Sequence, residues 1–420
     1  MRNTLLLRIF IIISILLLLV TVGCSPLKDK LPESAEEPSK VPSEPVENPE
    51  PTVEEIMKER IMEMTLEEKL GQMVMIGIGG FTATEEELSL ISENKIGGVI
   101  LFQRNIKDAD QVWKLINSLI AANEGNPLPL IIGVDEEGGR VSRLSGIYGN
   151  LPPAAELGEK DDPDLSYSYG AVQASKLRNL GFNLNFSPVL DVSSNPSNPV
   201  IGNRAISGDP YVAERIGKSI IKGLMSGGIV PVGKHFPGHG DTTADSHLTL
   251  PRITKNIEDL YTLELIPFIG AIEAGIPAIM VGHLLVEDID SLPATVSEKM
   301  INGLLREKLG FKGVVFSDDM TMGAIAENYE IAPAVVDFIR AGGDIALICH
   351  GVQPVNEALE KIKNSYMEGS LVEEDINEHV LRVMLLKNDI EGNLDKVDVP
   401  EAAEVEFLID ELLKKMGDMQ

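Results

Sequence analysis

The chain is short of cysteine and of basic residues. Cys24 and Cys349 are its only thiols, too few for a disulfide framework or a thiolate metal site. Lys and Arg number 36 against 65 Asp and Glu, a formal charge of −29. Phosphate binding wants a basic stripe and none is present, which excludes nucleic acid as a partner. The same deficit argues against adhesion of the body to anionic lipid. Nor does any apolar run reach the roughly 20 residues that span a bilayer. What the chain does have is bulk: 420 residues, 44% of them apolar, enough to bury a large core. At about 100–200 residues per domain this length admits two or three, although an α/β barrel fills 250 or more as one.

The amino end reads as a targeting segment. Arg2 and Arg8 form a basic start, and Ile9 to Val22 is apolar apart from Ser14 and Thr21. That length fits the core of a signal peptide. It stops at Thr21-Val22-Gly23-Cys24-Ser25, which resembles a bacterial lipobox with Thr21 in place of the usual Leu. The resemblance implies that residues 1–23 are removed and that Cys24 is acylated. An ordinary cleaved signal with an incidental cysteine is the alternative. Loss of Arg2 and Arg8 takes the charge from −29 to −31. Residues 24–52 read as a tether, with Pro32, Pro38, Pro42, Pro45, Pro49 and Pro51 set among Glu, Ser and Lys. Such a composition cannot offset its ordering entropy, and proline keeps it extended. The expected place of the protein is the bacterial cell envelope, on the extracytoplasmic face, with the lipid anchor as its only membrane contact.

The body runs from residue 53 to 420. Short Val- and Ile-rich runs recur at Met73–Ile78, Gly98–Phe102, Leu130–Val134, Leu184–Pro188, Ile229–Gly233, Ala278–Val281, Gly313–Phe316 and Asp344–Ile348. Helical periodicity separates them at Asp110–Asn123, Leu165–Leu180, Tyr211–Ser226, Ile257–Ala274, Ser297–Leu309 and Pro354–Tyr366. Continuous apolar strands alternating with amphipathic helices predict a parallel sheet covered by helices. Eight strands in about 280 residues predict a (β/α)8 TIM-type barrel, a single catalytic domain with a C-terminal helical tail. A doubly wound open sheet is the alternative from pattern alone.

Polar residues follow the strands as a barrel enzyme requires. Asp135-Glu136-Glu137 follows the third strand, Asp191 the fourth and Lys234-His235 the fifth; His283, Asp318-Asp319 and Cys349-His350 follow the sixth to eighth. In barrels that rim carries the active site. The densest group is Lys234 to His247, with three of the six histidines. Pro237, Gly238 and Gly240 exclude a helix, so a mobile loop is expected whose backbone can approach a ligand. Three readings are open. His235, His239, Asp241 and His247 could ligate a metal. The histidines could form a structural network. Asp245 and His247 could pair as a carboxylate that orients and charges an imidazole.

Lys234 to His247 resembles the signature loop of glycoside hydrolase family 3 β-N-acetylglucosaminidases, K-H-F-P-G-H-G followed by D-S-H. Val134 to Arg143 is similar to the family's V-D-x-E-G-G-R-V-x-R segment, Gly202-Asn203-Arg204 to its G-N-R, and Ser317-Asp318-Asp319 to its S-D-D. The likeness extends from about Thr65 to about Leu386. Relatives acting on β-glucosides and β-xylosides, the weaker alternative, carry a second sheet-containing domain and lack the D-S-H loop. The resemblance implies Asp318 as nucleophile and His247 as acid/base, with Asp245 as its partner. It implies Asp135, Arg143, Arg204, Lys234 and His235 as sugar contacts, and no metal or cofactor. Asp319 is expected to cap the following helix while Asp318 faces the pocket. Glu136 and Glu137 are left as supporting residues.

These roles suit the chemistry. An ionised carboxylate can attack an anomeric carbon and hold a glycosyl-enzyme intermediate. An imidazole near its unperturbed pKa of ~6.5 can protonate the leaving oxygen and then take a proton from water. Asp can accept from sugar hydroxyls, while Arg and Lys donate to hydroxyl and carbonyl oxygens. The expected activity is retaining exo-β-N-acetylglucosaminidase action on carbohydrate, with peptidoglycan fragments as substrate. A neutral imidazole would also admit phosphate in place of water, so N-acetylglucosaminide phosphorolysis is a second expectation. Outside the enzymes, a lipid-anchored sugar-binding protein of a transporter or a wall-binding lipoprotein would need no strand-end nucleophile.

Overall fold

The computed structural model describes residues 51–242, 250–391 and 400–418. The signal segment, Cys24, most of the tether, Asp245 and His247 lie outside the described residues.

All eight apolar runs form strands: β1 (Val74–Gly77), β2 (Gly98–Leu101), β3 (Ile131–Val134), β4 (Leu184–Asn185), β5 (Val230–Phe236), β6 (Ala278–Val281), β7 (Val314–Asp319) and β8 (Ile345–Ile348). They close in the order β1-β8-β7-β6-β5-β4-β3-β2, parallel throughout, with Val74 opposite Ala346 at the seam. The open-sheet alternative is thereby ruled out. Met75, Ile100, Ile131, Phe186, Met280 and Phe316 belong to the apolar cluster that fills the lumen, so the barrel is a packed core. The other faces of the strands pack on the surrounding helices, which is why the runs are continuous rather than alternating.

Local signals set the helix starts. Asp162 accepts from the N–H groups of Asp164 and Leu165 at the head of Pro163–Leu180, and Asp209 from those of Tyr211 and Val212 at Pro210–Ser226. In both, proline follows the cap, where its missing N–H costs nothing. Two helical expectations need correction. Ile257–Ala274 is broken into Ile257–Thr262 and Ile266–Glu273. Pro267, in the first turn of the second piece, has no N–H to offer Leu263. The segment expected at Ser297–Leu309 is a π-helix, Lys299–Lys308, in which Leu309 N–H donates to Leu304 O at 2.9 Å.

The helical tail is also not all tail. Helix Glu373–Glu391 contributes Val383, Leu386 and Ile390 to the lumen cluster and so closes the barrel floor. Lys387 enters the same region, donating to Gln72 Oε1 at 2.5 Å and Gly97 O at 2.8 Å. Burial pushes its ammonium down to about 7. Asp344, wholly buried before β8, accepts from Arg306, Arg382, His379 and the Val315 N–H and ties this floor to the strands.

Candidate active site

The carboxyl ends of the strands surround a cavity of about 460 Å³. Asp135, Arg143, Arg204, Lys234, His235 and Asp318 all line it, so residues spread over more than 180 positions share one space. Strand β5 runs three residues further than its apolar pattern and β7 also three, which puts Lys234, His235, Asp318 and Asp319 within strand ends rather than on loops, where the register shifts between Gly233 and Phe236 and between Phe316 and Asp319. Backbone so fixed holds their side chains within narrow limits.

Glu137 is the hub of the β3–β5 wall. It accepts from Arg204 Nε and Nη2, both at 2.8 Å, and lies 2.7 Å from Lys234 Nζ. Burial works to raise its carboxyl, but Arg204 and Lys234 hold it far below the usual range. Lys234 Nζ also donates to Asp135 Oδ1 at 2.6 Å, and Arg143 Nη2 lies 3.6 Å from Asp135 Oδ2. The network fixes both cations and leaves Asp135 15% exposed to the cavity. Arg143 Nε is buried with no hydrogen-bond partner among the described residues. Glu136 lies behind this wall rather than in it. Fully buried, it takes Lys176 Nζ at 2.7 Å, Ser142 Oγ at 2.8 Å and the N–H groups of Arg143 and Leu144, which folds the loop carrying Arg143.

Asp191 organises the histidines. Its Oδ2 lies 2.7 Å from His235 Nδ1, and its Oδ1 accepts from the N–H of His235 at 3.2 Å and of His239 at 2.6 Å. Burial opposes its ionisation, yet the neighbouring His235 and the N–H of His239 keep its carboxyl low. Residues 237–242 are therefore no mobile loop. Asn198 Nδ2 donates to His239 O and Gly240 O, and Thr242 Oγ1 lies 2.8 Å from His239 Nδ1. Gly240 stands so close to Val192 O that a Cβ there would lie 1.7 Å from it. Among the described residues no group of three His, Cys, Asp or Glu is disposed to hold a metal ion.

Asp318 lies at the end of β7 with Oδ1 accepting from the Asp319 N–H at 2.9 Å. Burial works to raise its carboxyl, but the nearby His283, His235 and Lys234 and that N–H outweigh it and hold it below its ordinary value. Asp319 has a different duty from the helix cap expected. Its Oδ1 takes the N–H and hydroxyl of Thr321 and the N–H of Cys349, binding the β7 turn to the end of β8. The short helix Gly323–Ala326 starts at Met322 without a side-chain cap.

Of the remaining wall only His350 was foreseen, as a rim residue after the eighth strand. Phe102 and Arg104 after β2, Met322 after β7 and His350 after β8 line the cavity opposite Glu137. Arg104 was visible in sequence only as one charge after an apolar run. Glu137 and Asp191 were visible as rim carboxylates, but their partners lie 67 and 44 positions away.

The glycosyl hydrolase family 3 N terminal domain model matches residues 65–386. A beta-hexosaminidase of Xylella fastidiosa (strain 9a5c) is 36% identical over 296 residues, covering 69% of this chain and 87% of that protein. One from Nitrosomonas eutropha is 39% identical over 297 residues, 69% of this chain and 84% of its own. Among solved structures, a glycoside hydrolase family 3 beta-N-acetylglucosaminidase from Paenibacillus sp. str. FPU-7 superposes with a TM-score of 0.79 at 37% identity, over 84% of this chain and 69% of that one. NagZ from Neisseria gonorrhoeae, solved with N-trifluoroacetyl-D-glucosamine, gives a TM-score of 0.68 at 32% identity, over 81% of this chain and 97% of that one. A match over most of the barrel, with the motifs of one family at its rim, leaves a single conclusion: the chain belongs to glycosyl hydrolase family 3.

Proposed function

We propose that the protein is a retaining exo-β-N-acetylglucosaminidase that removes terminal N-acetylglucosamine from peptidoglycan fragments. The observation that carries the reading is Asp318, an ionised carboxylate at a strand end, facing the same cavity as the Asp135–Lys234–Glu137–Arg204 network. The names of the relatives support the sugar.

Asp318 attacks the anomeric carbon through Oδ2, since Oδ1 is engaged by the Asp319 N–H. The bond to the leaving oxygen breaks as that oxygen takes a proton from the His247 imidazolium. Water then attacks the glycosyl ester, gives its proton to the neutral imidazole, and Asp318 departs as carboxylate. Asp245 fixes the His247 tautomer and favours its charged form. Asp135 accepts from ring hydroxyls while Lys234, Arg204, Arg143 and His235 donate. The chemistry of both steps is complete without a metal or cofactor.

The N-terminal segment supports placement outside the cytoplasmic membrane of a bacterium, held by an acylated Cys24 and the tether of residues 24–52. No helix among the described residues is long and apolar enough to cross a membrane. Purified protein incubated with muropeptides tests the whole reading by mass. Free N-acetylglucosamine and a product shortened by one such residue are expected, and Asp318→Ala should release under one part in a hundred of either. An uncut muropeptide together with an uncut chromogenic N-acetylglucosaminide would overturn it.

A further inference from the structure

The two walls of the cavity differ in charge balance. On the β3–β5 side every cation has a carboxylate: Lys234 has Asp135 and Glu137, Arg204 has Glu137 and Arg143 has Asp135. On the other side Arg104 lines the same cavity, half-buried, and no Asp or Glu among the described residues forms a salt bridge with it. Its guanidinium is nonetheless fixed. Nε donates to Ile78 O at 2.9 Å and Nη2 to Cys349 O at 2.8 Å, the first just past β1 and the second just past β8. It lies 4.5 Å over the Phe102 ring, which in turn stacks with His350 at 6.3 Å between centroids. Two of the five N–H groups of the guanidinium are thus used to orient it, and three remain for a ligand.

We propose that Arg104 is a specificity-determining residue that binds a carboxylate on the aglycone of the substrate. The proposal rests on the N-acetylglucosaminidase reading and deepens it. N-acetylglucosamine itself carries no charge, and the opposite wall already offers the donors and acceptors that its hydroxyls need. An anion in this cavity therefore belongs to the other half of the substrate. One guanidinium with no carboxylate partner matches one singly charged group, and a planar fork suits a planar carboxylate. In a chain of formal charge −29, a fixed cation with no salt-bridge partner among the described residues would help to draw an acidic aglycone in. The favoured substrate is then an N-acetylglucosaminide whose leaving sugar bears a free carboxylate, such as an N-acetylmuramic acid with an unsubstituted lactyl ether.

The test compares kcat/KM for two disaccharides that differ at one group. Both are N-acetylglucosaminyl-β-1,4-N-acetylmuramic acid, one with its lactyl carboxylate free and one with it converted to the methyl amide. The unmodified enzyme should favour the free acid by about tenfold or more at low ionic strength, the range of a hydrogen bond to a charged group. The preference should shrink as salt is added. Arg104→Gln should bring the ratio to within about twofold of one, whatever happens to the absolute rates. If that variant does not fold, Arg104→Lys replaces it, keeping the charge without the fork, and the ratio should fall severalfold. Equal turnover of acid and amide by the unmodified enzyme would overturn the proposal, as would a preference that survives the substitution. Failure to cleave any N-acetylglucosaminide would instead overturn the reading on which it rests.

Discussion

Glu137→Gln is the substitution that most strains the cavity. The carboxylate is 4% exposed and meets two guanidinium nitrogens at 2.8 Å and an ammonium at 2.7 Å. A glutamine keeps the shape but offers one acceptor and places an NH₂ against a cation. Two buried cations then share a single neutral oxygen. Breaking a buried pair by neutralising one partner costs about 3–5 kcal/mol. Unfolding entropy near 2.1 cal/mol/K per residue, over a body of roughly 370 residues, gives about 0.8 kcal/mol/K. The melting temperature should therefore fall by about 4–6 °C. Among the described residues Arg204 loses its only carboxylate partner and Lys234 keeps just Asp135, so kcat/KM for an N-acetylglucosaminide should drop at least about a hundredfold, the loss that follows a misplacement of about 1 Å. Melting followed by circular dichroism, with activity measured well below the transition, separates the two effects. A variant that melts within 1 °C of the unmodified protein, at full activity, would refute the hub assigned to Glu137.

Three further outcomes are expected. His247→Ala should slow cleavage most for poor leaving groups, because good ones depart without protonation, and Asp245→Asn should cost less; Brønsted plots on aryl N-acetylglucosaminides read both. Lys387 has a folded pKa of about 7, below an unfolded value near 10.4, so between those pH values unfolding takes up a proton. Stability relative to Lys387→Met should accordingly rise by roughly 1.4 kcal/mol per pH unit in that window and be least at and below pH 7. Urea unfolding at pH 7.5 and 9.5 measures it, and a constant difference between the two proteins would contradict it. Inorganic phosphate should compete with water for the intermediate if His247 is its neutral base, and phosphorus NMR would detect N-acetylglucosamine 1-phosphate.

The barrel was legible because continuous apolar runs, each buried on both faces, have few other destinations. The ends of β5 and β7 were not, since Lys234-His235 and Asp318-Asp319 break the apolar pattern while staying within the strands, at shifts in their register. Helix Glu373–Glu391 read as part of a tail because its apolar residues alternate with charge. In three dimensions Val383, Leu386 and Ile390 face the lumen while Val380 and Met384 pack on the outer core. Motif residues at the rim could be named one by one, yet their pairings could not. Glu137 looks like a neighbour of Asp135 and turns out to be the partner of Arg204. Arg104 belongs to no motif read in the sequence, and only closure of the barrel brings it between the ends of β1 and β8.

Covalent catalysis by Asp318 is the centre of the account, and trapping tests it most directly. The enzyme is incubated with a 2-acetamido-5-fluoro glycosyl donor whose intermediate turns over slowly, then digested and sequenced by mass spectrometry. A peptide carrying the sugar on Asp318 is the predicted result. Tight inhibition by a thiazoline analogue with no labelled peptide would mean that the acetamido group of the substrate is the nucleophile, and Asp318 only its support.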